Sequence, residues 1–386
     1  MTVWLPRFGA IKLQRLCFWA GCLSLSFLLG CGSSPRVKPA DVGAVPNSLR
    51  LQTAWTFTAG TIDIPLAVNV QANGLALANG RGAVWALDLA TGRELWRTQV
   101  GPLSAGVGSD GQFYAVMGQQ SELIVIRNGK EIWRKAMTAQ SFTPPLVAGG
   151  RVFVLSADRS VWAFDAANGR VLWSQARPGE PLVLRQMGVL LPVGDMLVAG
   201  QGGRLVGIQP LSGAVLWEAS IGTSRGTNDM ERLVDLVGPA SRVGTVVCAR
   251  AFQAQIGCVD TRSSAVLWSR RSVGDQGLSG DDRMLLAADG NGMLMAWSRI
   301  NGEKLWESDR LRYRQLTAPL VTPAASVVGD SGGQLYFFSN QDGGLIHRVA
   351  SDGSGWAANP TAAQERIITV TRKGLVQAWQ ISPAQP

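Results

Sequence analysis

Histidine is nearly absent from this chain: among 386 residues there is one, His347. A single imidazole cannot form a His-x-x-x-His site, and no Cys-x-x-Cys pair is present, so zinc has no ligand set to build on. Cysteine is scarce too, with five residues and no two adjacent. Long apolar runs are missing except Leu16 to Leu29, whose 14 residues fall short of the roughly 20 that a membrane-spanning helix needs. Helix signals are confined to one stretch near Asp229 to Leu236. Charge is modest and scattered: 36 basic against 27 acidic side chains, a net of +9, with no basic stripe interleaved with aromatics. Nucleic acid is therefore not an expected partner, although a mild affinity for anionic surfaces or an acidic partner stays open.

What the chain does have is a glycine and a tryptophan four residues apart, again and again. Thr91-Gly92-Arg93-Glu94-Leu95-Trp96 has counterparts ending in Trp133, Trp173, Trp217 and Trp306. Two copies are degenerate: Ser263-Ser264-Ala265-Val266-Leu267-Trp268 has lost the glycine, and Asp342-Gly343-Gly344-Leu345-Ile346-His347 carries histidine in the tryptophan slot. Trp55 is an eighth anchor without its turn. The intervals run from 37 residues (Trp96 to Trp133) to 51 (Trp217 to Trp268), a period that with short strands means a toroidal array. Each repeat reads as two hairpins. Gly82-Ala83-Val84-Trp85-Ala86-Leu87-Asp88 alternates and turns into the tryptophan strand, and Gly149-Gly150 supplies turn residues between two apolar runs.

Four strands per repeat and eight repeats predict an all-β, eight-bladed β-propeller of four-stranded antiparallel blades over residues 51–382. The last blade, Gly374-Leu375-Val376-Gln377-Ala378-Trp379, lacks a tryptophan strand of its own. The orphan strand at Trp55 is expected to complete it and close the ring, leaving no open sheet edge. The 46 glycines and 18 prolines suit dozens of tight turns, and none of the glycine-rich pieces opens a helix as a phosphate loop would.

Residues 1–30 read as a signal peptide, with Arg7, Lys12 and Arg15 ahead of the apolar run. The run ends in Leu28-Leu29-Gly30-Cys31, which resembles the bacterial lipobox and implies lipidation of Cys31; Cys22 is a competitor with a shorter run before it. By the sorting rule of such lipoproteins, Gly32 implies the outer membrane. Residues 31–50, with Pro35, Pro39 and Pro46, read as a lipidated tether, and 383–386 as a C-terminal tail. Cys248 and Cys258 remain in the ring, flanking a predicted hairpin turn near Gln253. They are either a cross-strand disulfide or small buried hydrophobes, the choice resting on a register the sequence leaves open.

Asp88, Asp165 and Asp260 hold one place in three repeats, which points to turn hydrogen bonding rather than to a unique acid and base. The repeat Ala86 to Trp96 resembles the tryptophan-docking motif of pyrroloquinoline-quinone-type propellers. Quinoprotein dehydrogenases share that fold and are the enzymatic alternative, but their vicinal cysteines and calcium ligands have no counterpart here, so no enzyme and no cofactor is expected. A third reading is a propeller that binds a small ligand in its channel.

The combination of lipobox, tether and docking repeats from Cys31 to Ser382 resembles the BamB family of outer-membrane β-barrel assembly lipoproteins. That resemblance implies a non-enzymatic scaffold, lipid-anchored at the periplasmic face of the outer membrane. It would dock on BamA and assist nascent outer-membrane β-barrels. Pro181-Leu182-Val183-Leu184-Arg185 is similar to the family's Leu-x-Leu-Arg loop, which implies partner-binding roles for Leu182, Leu184 and Arg185; the alternative is a strand with core-facing leucines. Asp229 to Val237 is similar to a second family segment in which Asp235 matches the first aspartate of an Asp-x-Asp pair and Val237 replaces the second.

Overall fold

A computed structural model describes residues 37–64, 66–177, 182–223 and 233–383, with Met1 and Trp4. Pro39–Pro386 form one compact unit, distinct from Met1–Lys38. Among the described residues every regular element is a strand, and the strands form eight four-stranded antiparallel sheets. Blade one comprises Asn69–Val70, Gly74–Ala78, Ala83–Asp88 and Glu94–Gln99, from the channel outward, and the next six follow in chain order. The eighth takes Thr361–Ala363, Arg366–Val370 and Leu375–Pro383 from the C-terminal end and Leu49–Thr58 from the other. Ring closure is therefore as the sequence predicts. Register runs from Leu49 opposite Pro383 to Thr58 opposite Leu375, with a bulge at Thr53/Trp55. The closing strand starts at Leu49, ahead of the expected ring boundary.

Burial explains which repeats show alternation and which do not. Outer strands alternate, as in Val215–Ser220. The two middle strands of a blade are buried on both faces, because a neighbouring blade packs on each side; Phe113–Met117 is buried at every position. Apolar residues therefore fill most of these positions, and a polar one that enters finds partners there, as Arg250 does in the Gln276 and Ala288 carbonyls and the Ser272 hydroxyl.

The glycine–tryptophan spacing has a physical cause at the seams between blades. Trp55 packs on Gly92 of the following blade, where φ is +71°, and a Cβ there would come within 2.4 Å of the indole. Its Nε1 donates to the Leu89 carbonyl at 3.0 Å. The same bond recurs from Trp133 to Ala166, Trp173 to Pro210, Trp268 to Arg299 and Trp306 to Asn340, at 2.8–3.1 Å. Two of the remaining slots fall at the degenerate repeats, whereas Trp96 packs on Gly129 of an intact turn. Trp217 faces the turn that lost its glycine; Ser264 holds φ at +61° there, the Trp217 Nε1 has no partner, and the indole lies over Gly207 of its own blade. His347 precedes the eighth blade, whose two outer strands are opposite ends of the chain and so carry no connecting turn to dock against.

Other expectations resolve simply. Asp88, Asp165 and Asp260 accept hydrogen bonds from turn amides, those of Thr91, Ala167 and Arg262, at 2.9–3.0 Å. The Thr91 hydroxyl, with the Thr91 amide, holds Asp88 below the usual carboxylate range, and the Arg262 amide does the same for Asp260. Cys248 and Cys258 stand directly opposite each other in register and are disulfide-bonded. The helix signal near Asp229 to Leu236 is not realised where it can be seen. Residues 229–232 lie outside the described residues, Leu233 to Asp235 are irregular, and Leu236 opens a strand.

One segment departs from expectation. Residues 39–48, read as tether, lie against blades six and seven. Val42 is buried in the cluster containing Trp306, Leu311, Tyr336 and Phe338. The Ala40 amide donates to the Arg312 carbonyl, and its own carbonyl accepts from Arg314 Nε at 3.0 Å and Nη2 at 2.7 Å. Arg310 Nη2 donates to the Val42 carbonyl. A run of small polar residues and prolines carries no periodicity, which is why only the folded chain reveals this strap.

Candidate functional site

Leu182, Val183, Leu184 and Arg185 form an irregular segment between blades three and four, so the core-strand alternative does not hold. Leu182 is exposed, and Leu184 is half-buried and lines a shallow pocket together with Phe142, Leu155 and Leu236. Arg185 is exposed, and its guanidinium lies 5.3 Å from the centre of the Phe142 ring. A cation over an aromatic face is held in one direction without losing its donors to solvent.

Asp235 organises the loop from inside. Its Oδ1 accepts from Arg159 Nε at 3.0 Å and Nη2 at 2.9 Å, while Oδ2 accepts from the Leu184 amide at 3.3 Å. Arg159 Nη2 also donates to the Leu182 carbonyl at 3.0 Å. The side chains of this ion pair are 11% and 16% exposed, shielded enough that screening by salt is limited. Arg159 sits in a turn of blade three with φ +65°. Asp235 just precedes blade five, so a single pair joins three successive blades around the loop. The downstream end is pinned as well. Gln186 Nε2 donates to the Asp275 carbonyl and the Gly188 amide to Thr143 Oγ1, both at 2.9 Å.

The sequence brought Leu182, Leu184, Arg185 and Asp235 forward as one site, and the fold does bring them together. It also gives them unequal roles: Leu182 and Arg185 face solvent, Leu184 is shared between solvent and core, and the Asp235 carboxylate is turned inward. Val237, in place of the family aspartate, is fully buried opposite the equally buried Arg250. Arg159 and Phe142 are the members that sequence reading missed. Arg159 lies 76 residues from Asp235, with no local signal linking them. Cys31, Pro181 and residues 229–232 lie outside the described residues.

The channel offers a second candidate, and its lining is informative. One cavity along it is walled by the inner strands and the residues leading into them, with Leu66, Val68, Pro145, Leu190 and Leu320, and Arg242 is the charged residue among the described lining. At the mouth beside the loop, Gln186, Asp275, Asp289, Gln315, Asp330 and Arg372 share one cavity. Asp330 is already engaged by Arg314 Nη1 and the Tyr336 hydroxyl, both at 3.0 Å. Among the described residues no cluster of three metal-ligating side chains converges.

A family model described as "Outer membrane protein assembly factor BamB" matches residues 80–308. The BamB protein of Bordetella pertussis (strain Tohama I) is 33% identical over 371 residues, 95% of each chain. The chain belongs to the BamB family. The crystal structure of BamB from Moraxella catarrhalis matches with a TM-score of 0.78 over 86% of this chain and 100% of that one, at 23% identity. A quinohemoprotein alcohol dehydrogenase from Comamonas testosteroni matches at TM-score 0.64 and 13% identity, over 85% of this chain and 76% of its own. That likeness is one of fold and reaches no further. Membership of the BamB family accords with the outer-membrane assembly role that the lipobox and docking repeats imply.

Proposed function

We propose that the protein is a non-enzymatic scaffold of the outer-membrane β-barrel assembly machinery, lipid-anchored through Cys31 at the periplasmic face, that docks on BamA and assists insertion of nascent barrels. The docking element is the loop of Leu182, Leu184 and Arg185. What carries this reading is the clamp: an exposed leucine and an exposed arginine are held in place by Asp235, Arg159 and Phe142, so little conformational entropy is lost when a partner closes over them. Leu182 supplies apolar area, and the Arg185 fork suits a carboxylate or carbonyl on the partner. Asp235 acts on docking by positioning the loop.

Retention of BamA by purified variants tests the site. Arg185→Glu should abolish co-purification while leaving the melting temperature unchanged, since the side chain is exposed. Leu182→Ala should weaken the complex by about 1–3 kcal/mol without loss of stability. Unchanged retention in both would remove the site from consideration. For the anchor, Cys31→Ala should release the protein from the outer-membrane fraction, and a wild-type mass lacking acyl chains would refute lipidation.

A further inference from the structure

The strap of residues 39–48 has a definite start and finish on the ring. It begins at the Arg310–Arg314 loop, where Arg312 and Arg314 bind the backbone of Ala40, and ends where the Ser48 amide donates to the Ile346 carbonyl on the outer strand of blade seven. Gln315 follows Arg314 and lines the same channel mouth as Gln186, which follows Arg185. The chain thus leaves the ring on the face that carries the docking loop.

We infer that this strap shortens the lipid tether and so sets the ring at the membrane with its docking mouth, and not the opposite face, toward the bilayer. The inference rests on lipidation at Cys31. Eight residue steps separate Cys31 from Pro39, and at 3.3–3.6 Å per residue they reach at most about 29 Å. A chain free as far as Leu49 would reach about 65 Å by the same measure, enough for either face to point at the membrane. Burial of Val42 and the Arg310 and Arg314 contacts to backbone carbonyls are what prevent that. Blade strands of five or six residues separate the two faces by roughly 20 Å, so the two orientations differ measurably. A partner bound at Leu182 and Arg185 accordingly sits in a gap between ring and bilayer that the tether limits.

Energy transfer to headgroup acceptors in vesicles carrying the full-length lipidated protein tests this. One donor is attached through Lys373→Cys, beside the mouth residue Arg372, and another through Gln341→Cys, in the turn at the other end of blade seven. Transfer from position 373 should exceed that from 341 by at least about twofold. Inserting twenty Gly/Ser residues between Lys38 and Pro39 should abolish that difference without touching the fold, and Val42→Asp should do the same by releasing the strap. Equal transfer from both positions in the unmodified tether, or a difference that survives the insertion, overturns the inference. Mass spectrometry of the same sample separates the causes: acylated protein with equal transfer refutes the strap alone, whereas unacylated protein refutes the anchor on which it rests.

Discussion

At the scale of single residues, the seams distinguish two tryptophans that sequence alone makes equivalent. Trp173 donates to the Pro210 carbonyl, whereas the Trp217 Nε1 is buried with no partner. Phenylalanine at position 173 forfeits a hydrogen bond worth about 1 kcal/mol and strands a carbonyl, while at 217 it removes a donor that already costs stability. Trp217→Phe should therefore be at least about 1 kcal/mol less destabilising than Trp173→Phe in urea unfolding; equal losses would show that indole packing alone matters. His347 offers a second residue-level check. Burial lowers its pKa from the usual value near 6.5, and its Nδ1 has no partner, though the ring keeps an edge contact with Phe337 at 5.6 Å. As pH falls below about 6.5 the unfolded chain takes up a proton that the folded chain resists, so stability is lost until the lowered pKa is passed. His347→Phe should match the wild type in melting temperature at pH 8 and retain more of it at pH 5, and parallel decline of the two proteins would contradict this.

At the scale of elements, the docking loop is made by pieces far apart in sequence. Asp235→Asn preserves shape but removes the charge that holds Arg159 and weakens the acceptor for the Leu184 amide. Partner affinity should fall about 5- to 30-fold, the span of 1–2 kcal/mol, with faster exchange of the Leu184 amide as the mark of a positioning role. Loss of affinity with that amide still protected would instead place Asp235 in the interface itself. Blades were legible because Gly92, Gly169 and Gly302 each meet a hard steric demand from an indole, a demand written at fixed spacing. The Leu182–Arg185 loop was legible only through family resemblance. Its supports were not legible at all: Phe142 sits in an irregular connector between blades and Arg159 in a hairpin turn, and only the ring's curvature brings them under the loop. The strap at Val42 is hidden for a similar reason, since one buried valine in a proline-rich segment sets no period. The disulfide needed the register of two strands, which fixes Cys248 opposite Cys258.

At the scale of the whole molecule, the ring is held by the one blade that joins its two ends. In the other seven blades the outer strand follows its neighbour through a short turn, but Leu49–Thr58 and Leu375–Pro383 find each other across the full length of the chain. That closure carries a large loop-entropy cost, and the contacts of the strand must outweigh it. Trp55 supplies much of them: it is buried against Leu75, Leu87 and Leu89 of blade one and bonds the Leu89 carbonyl, tying blade eight to blade one at the same point. Arg366 Nη1 adds a second tie, to the carbonyls of Leu89 and Ala90. Trp55→Ala should cost about 3–5 kcal/mol, the range for deleting a large buried aromatic. Deleting residues 49–58 goes further, since it also bares the edge of Leu375–Pro383, and an unpaired edge invites pairing with another chain. The deletion should lower the melting temperature beyond Trp55→Ala and produce concentration-dependent oligomers in sedimentation, whereas the point variant stays monomeric because its backbone pairing is intact. A deletion variant that melts with the wild type would mean that the ring closes by blade packing alone and that the end-to-end strand is dispensable.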